Sequence, residues 1–188
     1  SNNTSIMIYI TGITGIVGHN LDQYLSKKNN VQGVSRNPSE GVLTYSNFFK
    51  NMICSKAIVH LAGKAHDLKK ISEEADYFEA NTELTKLVFD KFLQSDSEVF
   101  IYMSSVKAVA DSIDKILTEE FISNPVTVYG KSKLAAENYI LSKNIPEDKR
   151  VYILRPCMIH GPNNKGNLNL LYSFVSKGIP YPFGKYIN

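Results

Sequence analysis

The chain has 188 residues, a hydrophobic content of 43%, a charged content of 21% and a formal net charge of +3. This length suits one α/β domain with a sizeable core, and the small net charge argues against a nucleic-acid-binding surface. No apolar run approaches the roughly 20 residues of a membrane-spanning helix, and no signal-peptide pattern opens the chain. The two cysteines lack metal-ligand spacing and are consistent with a reducing cytosol, so we expect a cytoplasmic protein. The lack of a membrane-spanning pattern predicts no membrane partner.

Short apolar segments alternate with helical patterns along the chain. Nearly continuous apolar strands are typical of parallel sheets that are covered on both faces. The alternation therefore predicts an α/β fold, a Rossmann-like doubly wound parallel sheet with helices on both faces. The predicted strands are 6–10, 31–34, 42–45, 57–61, 99–103 and 151–154, and the predicted helices are 16–25, 47–52, about 75–94, about 128–142 and 168–176.

Three glycines lie between the first predicted strand and the first predicted helix. Gly12 would allow a tight turn, Gly15 the close approach of a pyrophosphate, and Gly18 close packing of helix on strand. The N-terminus of the helix offers unpaired N–H groups and the positive end of its dipole to phosphates. This context predicts a dinucleotide site, although a tight loop without a ligand is the alternative. The other turn residues expected to contact the dinucleotide are Thr14, Ile16 and Val17.

The end of the second predicted strand bears on which dinucleotide is expected. An Asp or Glu there usually binds the adenosine ribose, but this chain has Ser35 and Arg36. A guanidinium suits a 2′-phosphate through charge-assisted hydrogen bonds, so NADP is a candidate cofactor beside NAD. The alternative is an arginine stacked on the adenine of NAD. After the third strand, Tyr45 stands where an acidic residue is common, so adenine recognition must use other groups.

Tyr129 and Lys133 form a Y-x-x-x-K pattern at the start of a predicted helix. Residues four apart share a helix face, so Lys133 can lie beneath the Tyr129 phenol. A phenol has a pKa of about 10, too high for a general base at neutral pH, and a nearby ammonium lowers that pKa. Ser105, at the end of the fifth strand, could orient a substrate hydroxyl, although Ser104 fits almost as well. The alternative is that Tyr129 and Lys133 are only a pair of surface residues without a catalytic role. The same spacing recurs, within helices or in the terminal loop, at Tyr24/Lys28, Tyr139/Lys143 and Tyr181/Lys185.

Together these motifs resemble the extended short-chain dehydrogenases/reductases, and within them the UDP-hexose 4-epimerase-like branch of the NAD-dependent epimerase/dehydratase family. The resemblance covers nearly the whole chain and favours Ser105 over Ser104 as the catalytic serine. It implies NAD as cofactor, with NADP left open by Arg36, and a nucleotide sugar as substrate. The segments that carry it are 11–18, 60–63, 81–85, 104–107, 129–133, 155–156, 161–162, 166–167 and 178–184.

The resemblance also implies roles for individual residues. Ser105, Tyr129 and Lys133 would be catalytic: Tyr129 takes the proton from the sugar 4-hydroxyl while C4 gives hydride to NAD, and hydride then returns to the other face of the 4-keto sugar. Lys133 would also bind the nicotinamide ribose. Further cofactor contacts are implied for Leu61, Ala62, Gly63, Asn81, Tyr129, Pro156 and Ile159. Substrate contacts are implied for Ser105, Val106, Lys107, Tyr129 and Asn167.

Other functions are weighed against this one. Val106 and Lys107 stand where nucleotide-sugar dehydratases carry an acidic pair, so we do not expect dehydration. An NADPH-dependent reductase of a keto-sugar or other carbonyl is one alternative, and a non-catalytic dinucleotide-sensing protein is another. We assign 1–188 to an NAD(P)-binding domain in which about 163–188 begins a truncated substrate lobe, so turnover by this chain alone should be poor.

Two further expectations concern partners and histidines. A homodimer through the 75–94 and 128–142 helices is implied by the resemblance, although the same apolar residues could pack on the sheet. His60 ends a buried strand and is predicted to be a core histidine, whereas His66 lies in a loop and could have either role. Neither histidine predicts a metal site.

Overall fold

The computed structural model describes residues 6–37, 39–51, 53–64, 73–110, 118 and 120–157. The predicted helix at 168–176 and the predicted start of a substrate lobe at 163–188 lie outside these residues. In the described part of the chain, six parallel strands form one sheet in the order β3-β2-β1-β4-β5-β6. They are β1 (Met7–Thr11), β2 (Asn30–Ser35), β3 (Val42–Thr44), β4 (Ala57–His60), β5 (Val99–Met103) and β6 (Arg150–Leu154).

Helices connect most of these strands. They are α1 (Ile16–Leu25), α2 (Tyr45–Lys50), α3 (Glu74–Phe78), α4 (Leu84–Gln94) and α5 (Val128–Leu141), with a π-helical turn at Glu79–Glu83 and a 3₁₀ turn at Val106–Ala108. The strand order reverses between β1 and β4, which confirms the predicted doubly wound, Rossmann-like sheet. Of the helices in the described ranges, none has the length and apolar character needed to cross a bilayer.

The strand register shows which helices cover which face of the sheet. Ile58 pairs with Phe100, and both belong to the core cluster that α2, α4 and α5 complete on one face. Ile10 pairs with Gly33 and points to the opposite face. There Ile13, just before α1, occupies the space above Gly33, since a Cβ on Gly33 would lie 2.5 Å from its Cδ1. Helices therefore lie on both faces, as predicted.

Three phenylalanines fix α4 against the sheet. Phe89 and Phe92 on α4 and Phe100 on β5 are fully buried, with ring centroids 5.0–5.8 Å apart. Burying each side chain stabilises the fold by roughly 1.5–3 kcal/mol, and the ring pairs add to this. This packing fixes the position of α4 on the sheet, and with it the position of the π-helical turn that precedes α4.

Two predicted boundaries are wrong for identifiable reasons. The hydroxyl of Thr44 accepts a hydrogen bond from the Asn47 N–H at 3.3 Å, which caps α2. The cap ends β3 at Thr44 and starts the helix at Tyr45, two residues before the predicted start. The helix predicted over about 75–94 extends from Glu74 to Gln94, as expected, but it contains the π-helical turn, which apolar spacing does not reveal.

His60 lies at the end of β4 as a fully buried, neutral side chain. The Thr85 hydroxyl donates to the Asn81 carbonyl at 2.7 Å, so it accepts from His60 Nε2–H at 2.9 Å. Nδ1 of His60 then accepts from the Thr11 hydroxyl at 2.6 Å. Burial, with a smaller contribution from the Lys133 charge, lowers the pKa of His60 to about 3. The prediction of a core histidine is confirmed.

The buried His60 should make the free energy of unfolding depend on pH. The unfolded chain takes up a proton at His60 below about pH 6.5, whereas the folded chain does so only near pH 3. The contribution of neutral His60 to the stability of the fold is therefore complete above pH 6.5 and is lost as the pH falls. We expect the free energy of unfolding of the wild type to fall by about 2 kcal/mol more than that of His60→Gln between pH 7 and pH 5, measured by urea denaturation.

The exposed His19 on α1 provides the control. A His19→Gln protein should keep the wild-type dependence of stability on pH. The same pH dependence in His60→Gln and in the wild type would contradict the assignment of His60 as a neutral core group.

Candidate active site

Two glycines in the turn between β1 and α1 are required by close contacts. Gly12 has a φ of +71°, in the left-handed region that favours glycine, and a Cβ there would lie 2.7 Å from the Ala62 nitrogen. A Cβ on Gly18 would lie 2.4 Å from the Gly12 carbonyl oxygen. The tight turn at Gly12 and the close packing at Gly18 are confirmed. Gly15 is exposed and precedes α1, so its predicted role toward a pyrophosphate stays a prediction.

A cavity of about 640 Å³ opens beside this turn, at the carboxyl ends of the strands. Its volume lies within the range of small-molecule and cofactor sites. The predicted cofactor residues that line it are Gly12, Thr14, Gly15, Arg36, Leu61, Ala62 and Gly63. Lining residues that the sequence left unassigned are Ser35, Tyr45, Lys64, Asp76, Glu79, Ala80 and Leu84.

The remaining predicted binding residues are placed differently. Ile16 and Val17 are the first two residues of α1 and are absent from the described lining of the cavity. Pro156 follows β6, and its carbonyl accepts the Val106 N–H at 3.2 Å. Ile159 and Asn167 lie outside the described residues, as does His66.

Asn81 stands in the π-helical turn and joins three parts of the site. Its Oδ1 accepts the Lys64 N–H at 2.7 Å, and its Nδ2 donates to the Ser132 hydroxyl at 3.0 Å. A Cβ on Gly63 would lie 2.6 Å from the same Oδ1. The wider π-helical turn thus directs the Asn81 amide between the end of β4 and α5, where it binds the backbone of Lys64, a cavity-lining residue.

Tyr45 is a cavity residue that sequence reasoning did not assign. Burial raises the pKa of its phenol to about 12, although the Thr11 hydroxyl and the Arg36 charge oppose this. Its ring stacks on Phe49 with the centroids 6.0 Å apart. The sequence feature that could have identified Tyr45 is its position directly after the third strand, because this type of sheet binds ligands at the ends of its strands.

The Ser105 hydroxyl lies close enough to the Tyr129 phenol to act on its pKa. Ser105 Oγ also accepts the Lys107 N–H at 3.2 Å, which caps the 3₁₀ turn. Burial raises the pKa of the Tyr129 phenol, and the Ser105 hydroxyl opposes that rise. The predicted lowering of this pKa by Lys133 is therefore wrong for the chain by itself, because desolvation outweighs the Ser105 contribution and Lys133 is not among the groups that shift this pKa.

Lys133 lies beside Gly63, a cavity-lining residue, with an almost completely buried ammonium group. Its Nζ donates to the Met103 carbonyl at 3.0 Å and lies 5.1 Å from the centre of the Tyr102 ring. A Cβ on Gly63 would lie 3.2 Å from this nitrogen. Burial lowers the pKa of Lys133 to about 8, and the Glu137 charge opposes that effect. The structure thus brings Ser105, Tyr129 and Lys133 to the edge of the sheet formed by the carboxyl ends of the strands, although none of them is among the residues that line the described cavity.

The two adjacent serines face different partners. The Ser104 hydroxyl donates to the buried carboxylate of Glu137, whereas Ser105 faces Tyr129. Successive side chains of extended backbone point to opposite sides, and Ser105 is extended, with φ −160° and ψ 151°. The geometry therefore favours Ser105 over Ser104 as the residue that faces a substrate.

The competing Y-x-x-x-K pairs lie elsewhere. The Tyr139 phenol donates to both carboxylate oxygens of Asp90 at 2.8 Å, and the Lys143 ammonium lies 4.3 Å from the centre of the Tyr139 ring. Tyr24 on α1 is 72% exposed. The third pair, Tyr181/Lys185, lies outside the described residues. Position after a strand end, rather than spacing, singled out Tyr129 and Lys133.

Comparisons with known proteins identify the family. The sequence profile of the NAD dependent epimerase/dehydratase family matches residues 8–179. A UDP-glucose 4-epimerase from Vibrio cholerae is 32% identical over 193 residues, which are 94% of this chain and 59% of the relative. This chain spans between 46% and 59% of the length of the first three curated relatives that it matches.

Solved structures show the same fold. The UDP-glucuronic acid 4-epimerase from Bacillus cereus in complex with NAD has a TM-score of 0.74 at 19% identity, over 93% of this chain and 64% of that one. A human epimerase family protein with NADPH has a TM-score of 0.77 at 19% identity, over 94% of this chain and 62% of that one. These likenesses concern the fold alone.

Gly130 controls how closely α5 approaches the 3₁₀ turn. A Cβ there would lie 2.2 Å from the Lys107 carbonyl oxygen and 2.9 Å from Pro125 Cβ. Gly→Ala within a helix usually stabilises it by up to about 1 kcal/mol. Here α5 would have to move, so we expect Gly130→Ala to lower the free energy of unfolding by roughly 1–3 kcal/mol in urea denaturation. The matched variant Asn138→Ala, on the exposed side of α5, should be near neutral; a Gly130→Ala protein as stable as the wild type would refute the contact.

Proposed function

Because the chain belongs to the NAD-dependent epimerase/dehydratase family, we propose that it is the dinucleotide-binding part of an enzyme that inverts nucleotide sugars at C4 with NAD. The observation that carries the proposal is that Lys133 lies beside Gly63, a cavity-lining residue, on the same helix as Tyr129, and that Tyr129 faces Ser105. The similarity to the Vibrio cholerae UDP-glucose 4-epimerase supports a UDP-hexose as the substrate.

The residues around the cavity fit a dinucleotide. The turn at Gly12 and Gly15 and the N-terminus of α1 would hold the pyrophosphate with backbone N–H groups. Arg36 would face the adenosine ribose, and Lys133 would bind the nicotinamide ribose. A side chain at Gly63 would press on both Asn81 and Lys133, so the glycine keeps this passage open. When bound, the dinucleotide accepts a hydride from the sugar and gives it back.

In this proposal Tyr129 moves the proton. Its phenolate takes the proton of the sugar 4-hydroxyl and later returns it to the same oxygen. Since burial raises the pKa of the phenol, the phenolate depends on donors, and the Ser105 hydroxyl supplies one. Ser105 would also orient the substrate oxygen.

Arg36 favours a second candidate, an NADPH-dependent reductase of a keto-sugar or similar carbonyl. Its side chain is exposed and borders the cavity at the end of β2, where a ribose 2′-phosphate would lie. The human epimerase family protein with NADPH shows that the fold accommodates this dinucleotide. The same phenol would then protonate the carbonyl oxygen of the substrate.

Removing the phenol oxygen tests the role of Tyr129. We expect Tyr129→Phe, made in the full-length protein, to bind NAD nearly as well as the wild type, but to interconvert UDP-glucose and UDP-galactose at least about 100-fold more slowly, because general acid–base catalysis contributes about 10²–10⁴-fold. Coupled assay of the sugar and calorimetric titration of NAD measure the two effects separately. The exposed control Tyr24→Phe should match the wild type; unchanged turnover in Tyr129→Phe would leave a dinucleotide-sensing protein as the better account.

Reversing the charge at Arg36 tests the cofactor. If the guanidinium binds a 2′-phosphate, Arg36→Asp should weaken NADP binding at least about 10-fold while NAD binding changes little, because hydrogen bonds between charged groups contribute about 1.5–3 kcal/mol. Equilibrium titration with both dinucleotides measures this. Arg150→Asp, exposed at the start of β6 and therefore at the opposite sheet edge, is the control. An equal loss of both affinities would indicate an arginine stacked on adenine instead.

A further inference from the structure

An ion pair between Glu137 and Arg155 lies one helical turn beyond Lys133 along α5, and its carboxylate is buried. The Glu137 side chain is completely buried. Its carboxylate accepts the Ser104 hydroxyl, and it accepts two donors of Arg155, Nε at 3.1 Å from Oε1 and Nη2 at 2.5 Å from Oε2. One carboxylate therefore ties α5 to the residues that follow β5 and β6.

Two details connect this ion pair to the candidate active site. The bond to Glu137 turns Ser104 inward, and the extended backbone then directs the next residue, Ser105, toward Tyr129. In addition, the ammonium of Lys133 is bound to the Met103 carbonyl, a neutral group, so charge compensation must come from further away. The carboxylate of Glu137 supplies it, one helical turn along the same face.

We propose that Glu137 is a positioning residue: its buried carboxylate stands one helical turn from Lys133 on α5 and, through Ser104, fixes the backbone from which Ser105 reaches Tyr129. Arg155 moderates the effect of Glu137 on Lys133, because it compensates part of the negative charge. Both residues act through Lys133 and Ser105. The catalytic consequence depends on the proposed function, but the ionisation of Lys133 can be measured without it.

Charged and ionisable side chains lie around Lys133 on several elements. Glu137 is the carboxylate among them, and His60 is neutral because its pKa is about 3. Changing Glu137 or Arg155 should therefore act on Lys133 in opposite directions. The groups are His60 on β4, Tyr102 on β5 and Glu137 on α5; Arg155, after β6, contacts Glu137, and Tyr129 precedes Lys133 by four residues on α5.

The experiment is a titration of Lys133 by NMR in protein labelled with ¹³C-lysine, with the signal assigned through Lys133→Arg. We expect the midpoint to fall by roughly one pH unit in Glu137→Gln, since an opposite charge nearby raises the pKa of an ammonium by about this much. In Arg155→Gln the Glu137 charge is uncompensated, and the midpoint should rise. Glu83→Gln, which removes an exposed carboxylate paired with Lys86, should leave it unchanged.

A purely structural ion pair would give a different pattern. Both variants would then lose stability without moving the midpoint, or would move it the same way, and either result overturns the proposal. If Glu137→Gln does not fold, Glu137→Asp, which keeps the charge, should retain the wild-type midpoint while Arg155→Gln raises it. Opposite shifts in a protein that binds no NAD would support this inference and remove the proposed function.

Discussion

The site depends on the pairing of polar groups that the fold buries at the carboxyl ends of β1 and β4. Unpaired donors and acceptors are costly in such a place, so nearly all of them have partners. The chain of hydrogen bonds from Thr11 through His60 and Thr85 to Asn81 satisfies this demand. Since Asn81 also binds Ser132, the chain extends from the glycine turn to α5. The cavity and the candidate catalytic helix are thereby held in one arrangement.

Burial acts in opposite directions on the two ionisable residues of the candidate active site. Desolvation disfavours charge, so it raises the pKa of the Tyr129 phenol and lowers that of the Lys133 ammonium. Neither charged form is favoured by the site alone, but a phenolate and an ammonium together are less costly than either by itself. Hydrogen bonding by Ser105 on one side and the charge of Glu137 on the other reduce the cost further. Rigid placement of these neighbours, rather than proximity of Tyr129 and Lys133 alone, determines whether the phenol can serve as a base.

The sequence predicts the sheet, the glycine turn and the positions of Tyr129 and Lys133, because each depends on local patterns. Gly12 and Gly18 illustrate this, since the close contacts that exclude a side chain arise within one strand-turn-helix unit and with the neighbouring strand end. The raised pKa of Tyr129 was not predictable from spacing, because it depends on how deeply the phenol is buried. The ion pair of Glu137 and Arg155 was missed for a similar reason: its members are 18 residues apart and meet only where β6 ends beside α5.

The departures from the family pattern concentrate at one end of the cavity. Arg36 and Tyr45 replace acidic residues where adenosine would lie, and both are cavity-lining residues at the ends of β2 and β3. Ser105, Tyr129 and Lys133 lie on the other side of β1, at β5 and α5, and keep the expected residue types. Because the two groups stand on different elements, a change in dinucleotide preference does not require a change in the proton-transfer residues. In the proposed enzyme, preference between NAD and NADP and proton transfer at the Tyr129 phenol are therefore physically separable.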